Sequence, residues 1–144
     1  QKVISLSPQY NYLGDLGHKM ILALDGIYSV DDWLFFRLHL GNLNNIDYGI
    51  DFIKTYIRDK KDDKYSALQE QEIYPFYVYF SDEKYKEMIP AGEEVEIILF
   101  FNRFTIPKSR IMCFELFEKN GGRHLSFSIS NKQILKAQRV SNFK

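Results

Sequence analysis

The side chains in this sequence that could do chemistry are three histidines, one cysteine and a pair of glutamates. His18, His39 and His124 stand far apart. Acyl or phosphoryl transfer needs a nucleophile with a positioned base, or a metal with clustered ligands. His39 has no ligand partner near it in the sequence. Folding could bring His39 and His124 together, but no Asp or Glu recurs beside both. Cys113 lies between Met112 and Phe114, so a buried, inert thiol is expected there rather than a nucleophile. A single cysteine also rules out an internal disulfide. Glu70 and Glu72 share one strand parity, the pattern of a solvated face. Asn120-Gly121-Gly122 lies between two strand-like runs, not between a strand and a helix, so it does not read as a phosphate loop. The expectation is no enzyme, no cofactor and no metal.

The clearest element is residues 110–131, RIMCFELFEKNGGRHLSFSISN. Residues 111–118 are apolar and aromatic. Over residues 123–130, Leu125, Phe127 and Ile129 alternate with Ser126, Ser128 and Ser130, which is the period of a half-buried strand. Asn-Gly between the two runs predicts a two-residue hairpin turn, with the further Gly permitting a bulge. Five more strands are predicted over residues 19–29, 33–40, 48–59, 73–80 and 93–103. Gly26 marks a bulge in the first and Val30-Asp31-Asp32 a turn after it. Leu34, Phe36, Leu38 and Leu40 are the buried parity of the second. In the third, Ile50, Phe52 and Tyr56 lie on one parity and Ile53 and Ile57 on the other. Pro75 cannot donate a ladder hydrogen bond, so the fourth lies at an edge or bends. Val95, Ile97, Leu99 and Phe101 are the core parity of the fifth.

About seven strands with regularly spaced turns predict an all-β fold, an antiparallel β-sandwich with immunoglobulin-like architecture; a barrel is the alternative. Residues 1–18 read as an irregular lead-in, 19–131 as the sandwich domain and 132–144 as a basic C-terminal tail with a short helix around Ile134-Leu135. The KKDDK run at 60–64 reads as a solvated turn. The 144 residues favour one domain, and 16% aromatic content favours strands. Zero net charge argues against direct nucleic-acid binding. Yet no Asp or Glu follows Glu118, while Lys132, Lys136 and Arg139 are basic, which suits a solvated tail, an acidic partner or an anionic surface. No apolar run of the length of a membrane-spanning helix occurs. The chain starts at Gln1 and reads as a mature fragment or excised domain.

Three segments carry a resemblance: DFIKTYIRDKK at 51–61, ALQEQEIYPFYVY at 67–79 and FTIPKSRIMCFELFEKNGGRHLSFSISN at 104–131. In wording, order and spacing they resemble the C-terminal domain of the TraN proteins of Bacteroides-type conjugative transposons. The likeness covers roughly residues 19–131, and FEKNGGRHL is its most specific part. It implies a structural subunit of a cell-envelope conjugation apparatus, similar in role to the β-sandwich subunits of type IV secretion systems. It also implies periplasmic or outer-membrane-associated placement, other conjugation proteins as partners and at most a peripheral relation to the membrane. The N-terminal leader and domain usual in that family would precede this chain.

Contacts are expected at the aromatic edge, through Tyr74, Pro75, Tyr77 and Tyr79, because edge strands offer backbone groups to a neighbouring chain. Arg123 and His124 are expected at an exposed, partner-facing turn tip, and Lys132, Lys136 and Arg139 on the basic tail. The competing reading is a carbohydrate- or peptide-binding module using Trp33, Tyr77 and Tyr79 as a stacking platform.

Overall fold

The computed structural model describes residues 14–60 and 70–140. Residues 1–13 of the lead-in expected over 1–18, 61–64 of the charged run expected over 60–64, residues 65–69 and the last four residues of the expected tail lie outside the described residues. Eleven strands occur among those described. They are β1 (Gly14–Asp15), β2 (Met20–Val30), β3 (Trp33–Asn42), β4 (Tyr48–Asp59), β5 (Glu70–Ile73), β6 (Tyr77–Phe80), β7 (Met88–Ile89), β8 (Glu94–Asn102), β9 (Arg110–Glu118), β10 (Leu125–Ser130) and β11 (Gln138–Arg139). One short α-helix, α1 (Asn131–Leu135), joins β10 to β11 among the described residues. The chain is all-β in two largely antiparallel sheets. The first runs β1-β2-β3-β8-β6, with β11 parallel to β2; the second runs β10-β9-β4-β5, with β7 beside the start of β4.

Each of the seven expected strands has a counterpart. The additional ones, β1, β5, β7 and β11, have four residues or fewer, too short for an alternating pattern to show. One core lies between the sheets. Leu22, Leu24, Leu38, Leu40, Ile97 and Leu99 from the first sheet meet Ile57, Met112, Phe114, Leu116, Leu125 and Ile129 from the second. Phe114 stacks on Phe127 at 4.7 Å and lies 5.5 Å from Phe36, so this aromatic contact ties the two sheets together. Ser126 and Ser128 of β10 face outward as expected.

Two bulges explain what strict alternation misses. The register of β2 against β3 shifts between Leu24 and Gly26, so Leu22, Leu24 and Ile27 all point inward. A side chain at Gly26 would overlap the ring of Tyr28. In β4 a shift between Ile50 and Phe52 lets Ile50, Ile53 and Ile57 share the inner face, while Phe52 and Tyr56 face outward. The mixed parity of that strand thus combines the bulge with burial on both sides, because Tyr56, buried on the outer face against Cys113, follows the same alternation as Ile57 on the inner face.

The tightest hairpin joins β2 to β3: Val30 pairs with Trp33 around Asp31-Asp32, and Asp31 takes a positive φ of 50°. The Asn-Gly-Gly hairpin is wider than expected. Its last ladder pair is Leu116 with Leu125, β10 starts at Leu125, and Lys119 to His124 form the connection. The C-terminal stretch is built into the fold. Ile134 of α1 is buried, a Ser130–Gln133 capping box starts the helix, and β11 adds to β2.

Candidate functional site

The site is built from the chain that crosses between the sheets. β5 ends the second sheet at Ile73, and Tyr74-Pro75-Phe76 carries the chain over to β6 at the end of the first. Pro75 sits at the crossover, where a missing N–H costs no ladder bond. The Phe76 N–H then donates to Phe100 O at 2.8 Å, and Ser81 N–H to Glu96 O at 2.9 Å. The two-residue period of the ladder turns the backbone of Tyr79 toward β8 and that of Val78 and Phe80 away from it. No described strand pairs on that outer side. The other edges are blunted. β1 and β11 cover parts of β2, the Asp15 carboxylate accepts the Ser126 N–H of β10 at 2.9 Å, and β5 carries Glu70 and Glu72. β6 is uncharged along its whole length.

Beside this edge lies an aromatic patch on the outer face of the first sheet. Trp33, Phe76 and Tyr77 are 44%, 51% and 51% exposed, unusual values for such large rings. Trp33 is 5.8 Å from Phe76, and Phe76 and Tyr77 lie 6.1 and 5.6 Å from Phe100. Beneath them Tyr28, Phe35, Ile98 and Phe100 form a second buried cluster, against which Tyr79 packs. Trp33 and Phe76 are tilted by 47°, so the exposed rings make a contoured surface rather than a flat platform.

The same face holds a charge cluster that sequence spacing hid. Bulged β2 supplies Asp25, β3 supplies Arg37 and His39, and β8 supplies Glu94 and Glu96. Cross-strand pairing places His39 opposite Glu96. The His39 ring contacts Glu96 at 3.2 Å through Nδ1 and Glu94 at 3.0 Å through Nε2. Arg37 Nε lies 3.6 Å from Glu96 and 4.0 Å from Asp25, and Arg37 also donates to the Tyr28 hydroxyl at 3.4 Å. Burial, then repulsion from Glu96, pushes the Asp25 carboxyl up to about 6. Glu96 is lowered: burial opposes its charge, but the contacts with His39 and Arg37 outweigh it. The Glu96 hydrogen bond raises His39. Asp25, His39 and Glu96 present donor atoms within 4.8 Å of one another, a set with cation-binding chemistry. The Arg37 guanidinium already supplies positive charge inside it, so the arrangement is an ion network on β2, β3 and β8 in which three carboxylates face one guanidinium and one imidazole.

At the opposite end, the Asn-Gly-Gly connection is a clamp. Glu118 accepts the Arg123 backbone N–H at 2.9 Å and its Nε–H at 3.1 Å. The guanidinium reaches on to Asp47 O at 2.7 Å and Ile46 O at 3.2 Å, and lies over the Tyr48 ring. Tyr48 donates back to Arg123 O at 2.7 Å. Buried Asn42 holds the same β3–β4 loop by donating to Ile46 O and Ile89 O. Asn120 takes a positive φ of 56°, and a Cβ at Gly121 would collide with the Glu118 carboxylate. Arg123 therefore turns into the molecule, with only 17% of its side chain exposed, and is not a projecting tip. His124 is exposed and stacks on Phe117 at 4.4 Å, which stacks on Phe52 at 4.6 Å.

A model of a protein family described as a domain of unknown function, DUF4138, matches residues 9–139. The chain belongs to the DUF4138 family. No curated protein matches it. Among solved structures, the archaellum periplasmic stator protein FlaG from Sulfolobus acidocaldarius is similar over 76% of this chain and 99% of its own, with 14% identity and a TM-score of 0.43.

In this DUF4138 domain the remaining expected contact residues are dispersed. Tyr74 is exposed at the crossover, and Pro75 is half-buried beside it. Lys132 and Lys136 are exposed on and just after α1, and Arg139 is exposed on β11. Arg139 lines a cavity of about 810 Å³ with Leu34, Arg103 and Ile134. Cys113 is buried on the outer face of β9, and burial pushes its thiol up, away from nucleophilic character. Trp33 was legible as an aromatic but not as a neighbour of Phe76, because they join only when β3, β8 and β6 pair.

Proposed function

We propose that this domain is a non-enzymatic structural subunit that joins a multiprotein apparatus by lending the edge of β6 and the Trp33–Phe76–Tyr77 patch to a neighbouring protein. The observation that carries this reading is the juxtaposition of an uncharged sheet edge with three half-exposed aromatic rings. A partner strand can extend the ladder through Val78 and Phe80 and bury the rings in the same contact. Aromatic side chains are the residues that dominate such interfaces.

The apparatus we assign is the envelope machinery of conjugative DNA transfer, with the domain periplasmic or outer-membrane-associated. This rests on the resemblance of residues 51–61, 67–79 and 104–131 to the TraN C-terminal domain. We read the two sheets around one core as a β-sandwich of immunoglobulin-like type. The carbohydrate-binding alternative needs a flat ring platform, and the 47° tilt between Trp33 and Phe76 does not provide one.

The test is recovery of transfer-apparatus proteins on the domain from cells carrying the conjugative element. Tyr77→Lys, which places a charge on the edge, and Trp33→Ala should each leave a cooperative melt and cut recovery at least tenfold. Full recovery with both variants folded would refute the edge as the contact. Recovery of envelope proteins unconnected with DNA transfer would refute the assignment to conjugation.

A further inference from the structure

The end of the molecule opposite the Arg123 clamp carries a recess of about 370 Å³ lined by Lys60, Lys108, Lys132, Ser130, Asn131 and Leu135. Its three lysines come from three separate elements. Lys60 follows β4 and is fixed by its N–H to Ser109 O at 2.8 Å. Lys108 lies in the turn closed by Arg110 N–H to Pro107 O at 3.0 Å. Lys132 sits in the first turn of α1, whose position is set by buried Ile134 and by Asn131 accepting the Ile106 N–H at 3.0 Å. The backbone thus brings three lysines to the lining of one concavity.

Asp59 pairs with Arg110 at 3.3 Å and Asp32 with Arg103 at 3.5 Å. No ion pair joins Lys60, Lys108 or Lys132 to a described residue. Three lysines lining one recess, with no ion pair to any described residue, favour an anion between them. Leu135, 67% exposed, forms part of the rim, and Lys136 and Arg139 extend the positive field beyond it. An apolar side chain ringed by lysines suits the boundary between headgroups and acyl chains, and has no use on a nucleic-acid backbone.

We propose that the Lys60–Lys108–Lys132 recess binds the phosphate of an anionic phospholipid headgroup, with Leu135 dipping into the membrane surface. The domain then touches a membrane by one end and a protein partner by the β6 edge. This proposal is independent of the protein contact at β6.

Co-sedimentation of the whole chain with vesicles tests it. The protein should pellet with phosphatidylcholine vesicles that contain phosphatidylglycerol, not with phosphatidylcholine alone, and added salt should release it. Lys60→Gln, Lys108→Gln and Lys132→Gln should each weaken partitioning roughly fivefold, and Leu135→Ser should weaken it further. Lys84→Gln, in the turn after β6, should leave it unchanged. All these residues are exposed, so the variants should melt as the parent does. An equal loss with Lys84→Gln, no pelleting, or pelleting with phosphatidylcholine alone overturns the proposal. So does an NMR titration in which inorganic phosphate shifts these lysines while vesicles do not bind, which would make free phosphate the ligand. Tighter retention on a single-stranded oligonucleotide than on vesicles would assign the recess to nucleic acid and equally overturn it.

Discussion

Arg123 shows what a residue reading of the sequence could and could not supply. Its place in FEKNGGRHL marks it as special, but nothing in a linear pattern says that its side chain turns inward. The structure gives the reason for that spelling. Glu118 needs the space left by Gly121, Asn120 supplies the left-handed residue, and Arg123 then bridges Glu118 to the carbonyls of Ile46 and Asp47. Arg123→Ser leaves a mostly buried carboxylate without its guanidinium and the Asp47 carbonyl without that donor, so it should cost about 2–4 kcal/mol in a urea titration at neutral pH. Glu118 is held below the usual carboxylate value by the Arg123 hydrogen bonds. The contribution of the pair is therefore present above pH 4.5 and is lost as pH falls through the depressed folded value. A loss that stays constant into acid would contradict this coupling. His124→Ser removes only an exposed stack on Phe117 and should change stability by less than about 1 kcal/mol.

The ion network on the first sheet makes a second prediction at this scale. Between the ordinary value of 3.8 and about 6, folded Asp25 binds more proton than unfolded Asp25. Stability therefore falls as pH rises through that window and is then flat. His39, raised, acts in the same direction at higher pH: its contribution is full below 6.5 and is lost as pH climbs through the elevated folded value. Asp25→Asn should gain on the order of 1–3 kcal/mol at pH 7 and nothing near pH 4. An equal gain at both pH values would show that the effect is not Asp25 ionisation. None of this was legible in the sequence, because Asp25, His39 and Glu96 meet only through cross-strand pairing of β2, β3 and β8.

For the elements themselves, the sequence was more informative. Alternation located every long strand, and the inner faces of β3, β8 and β10 are the expected ones. It failed where one inserted residue reverses parity, at the bulge of β4, and where the strand is only two residues long. The C-terminal stretch reads in sequence as a basic tail, solvated or facing an acidic partner or anionic surface, because it carries Lys132, Lys136 and Arg139 with no Asp or Glu and few apolar residues. One of them, Ile134, is buried and seats α1 against the core, so β11 can reach β2. Ile134→Ala should cost about 2–4 kcal/mol and make the Val140 amide, which bonds Ser29 O, exchange faster. An unchanged melt and unchanged exchange would mean that α1 is not what holds β11. Pro75 was the most informative single residue for topology: its missing N–H foretold an edge or a bend, and the chain uses it where it leaves one sheet edge for the other.

Taken as a whole molecule, the domain places an uncharged, aromatic edge on one side and a lysine recess at one end, with its charges balanced overall. Both surfaces suit the proposed subunit role. The central claim is that β6 receives a strand from a neighbour. Amide hydrogen exchange on the assembled complex tests it most directly. In the domain by itself, the Val78 and Phe80 amides should exchange much faster than that of Tyr79, which faces β8. In the complex, Val78 and Phe80 should become protected together with slowed exchange around Trp33 and Phe76. Protection that appears elsewhere, with Val78 and Phe80 exchanging as fast as before, would contradict the account.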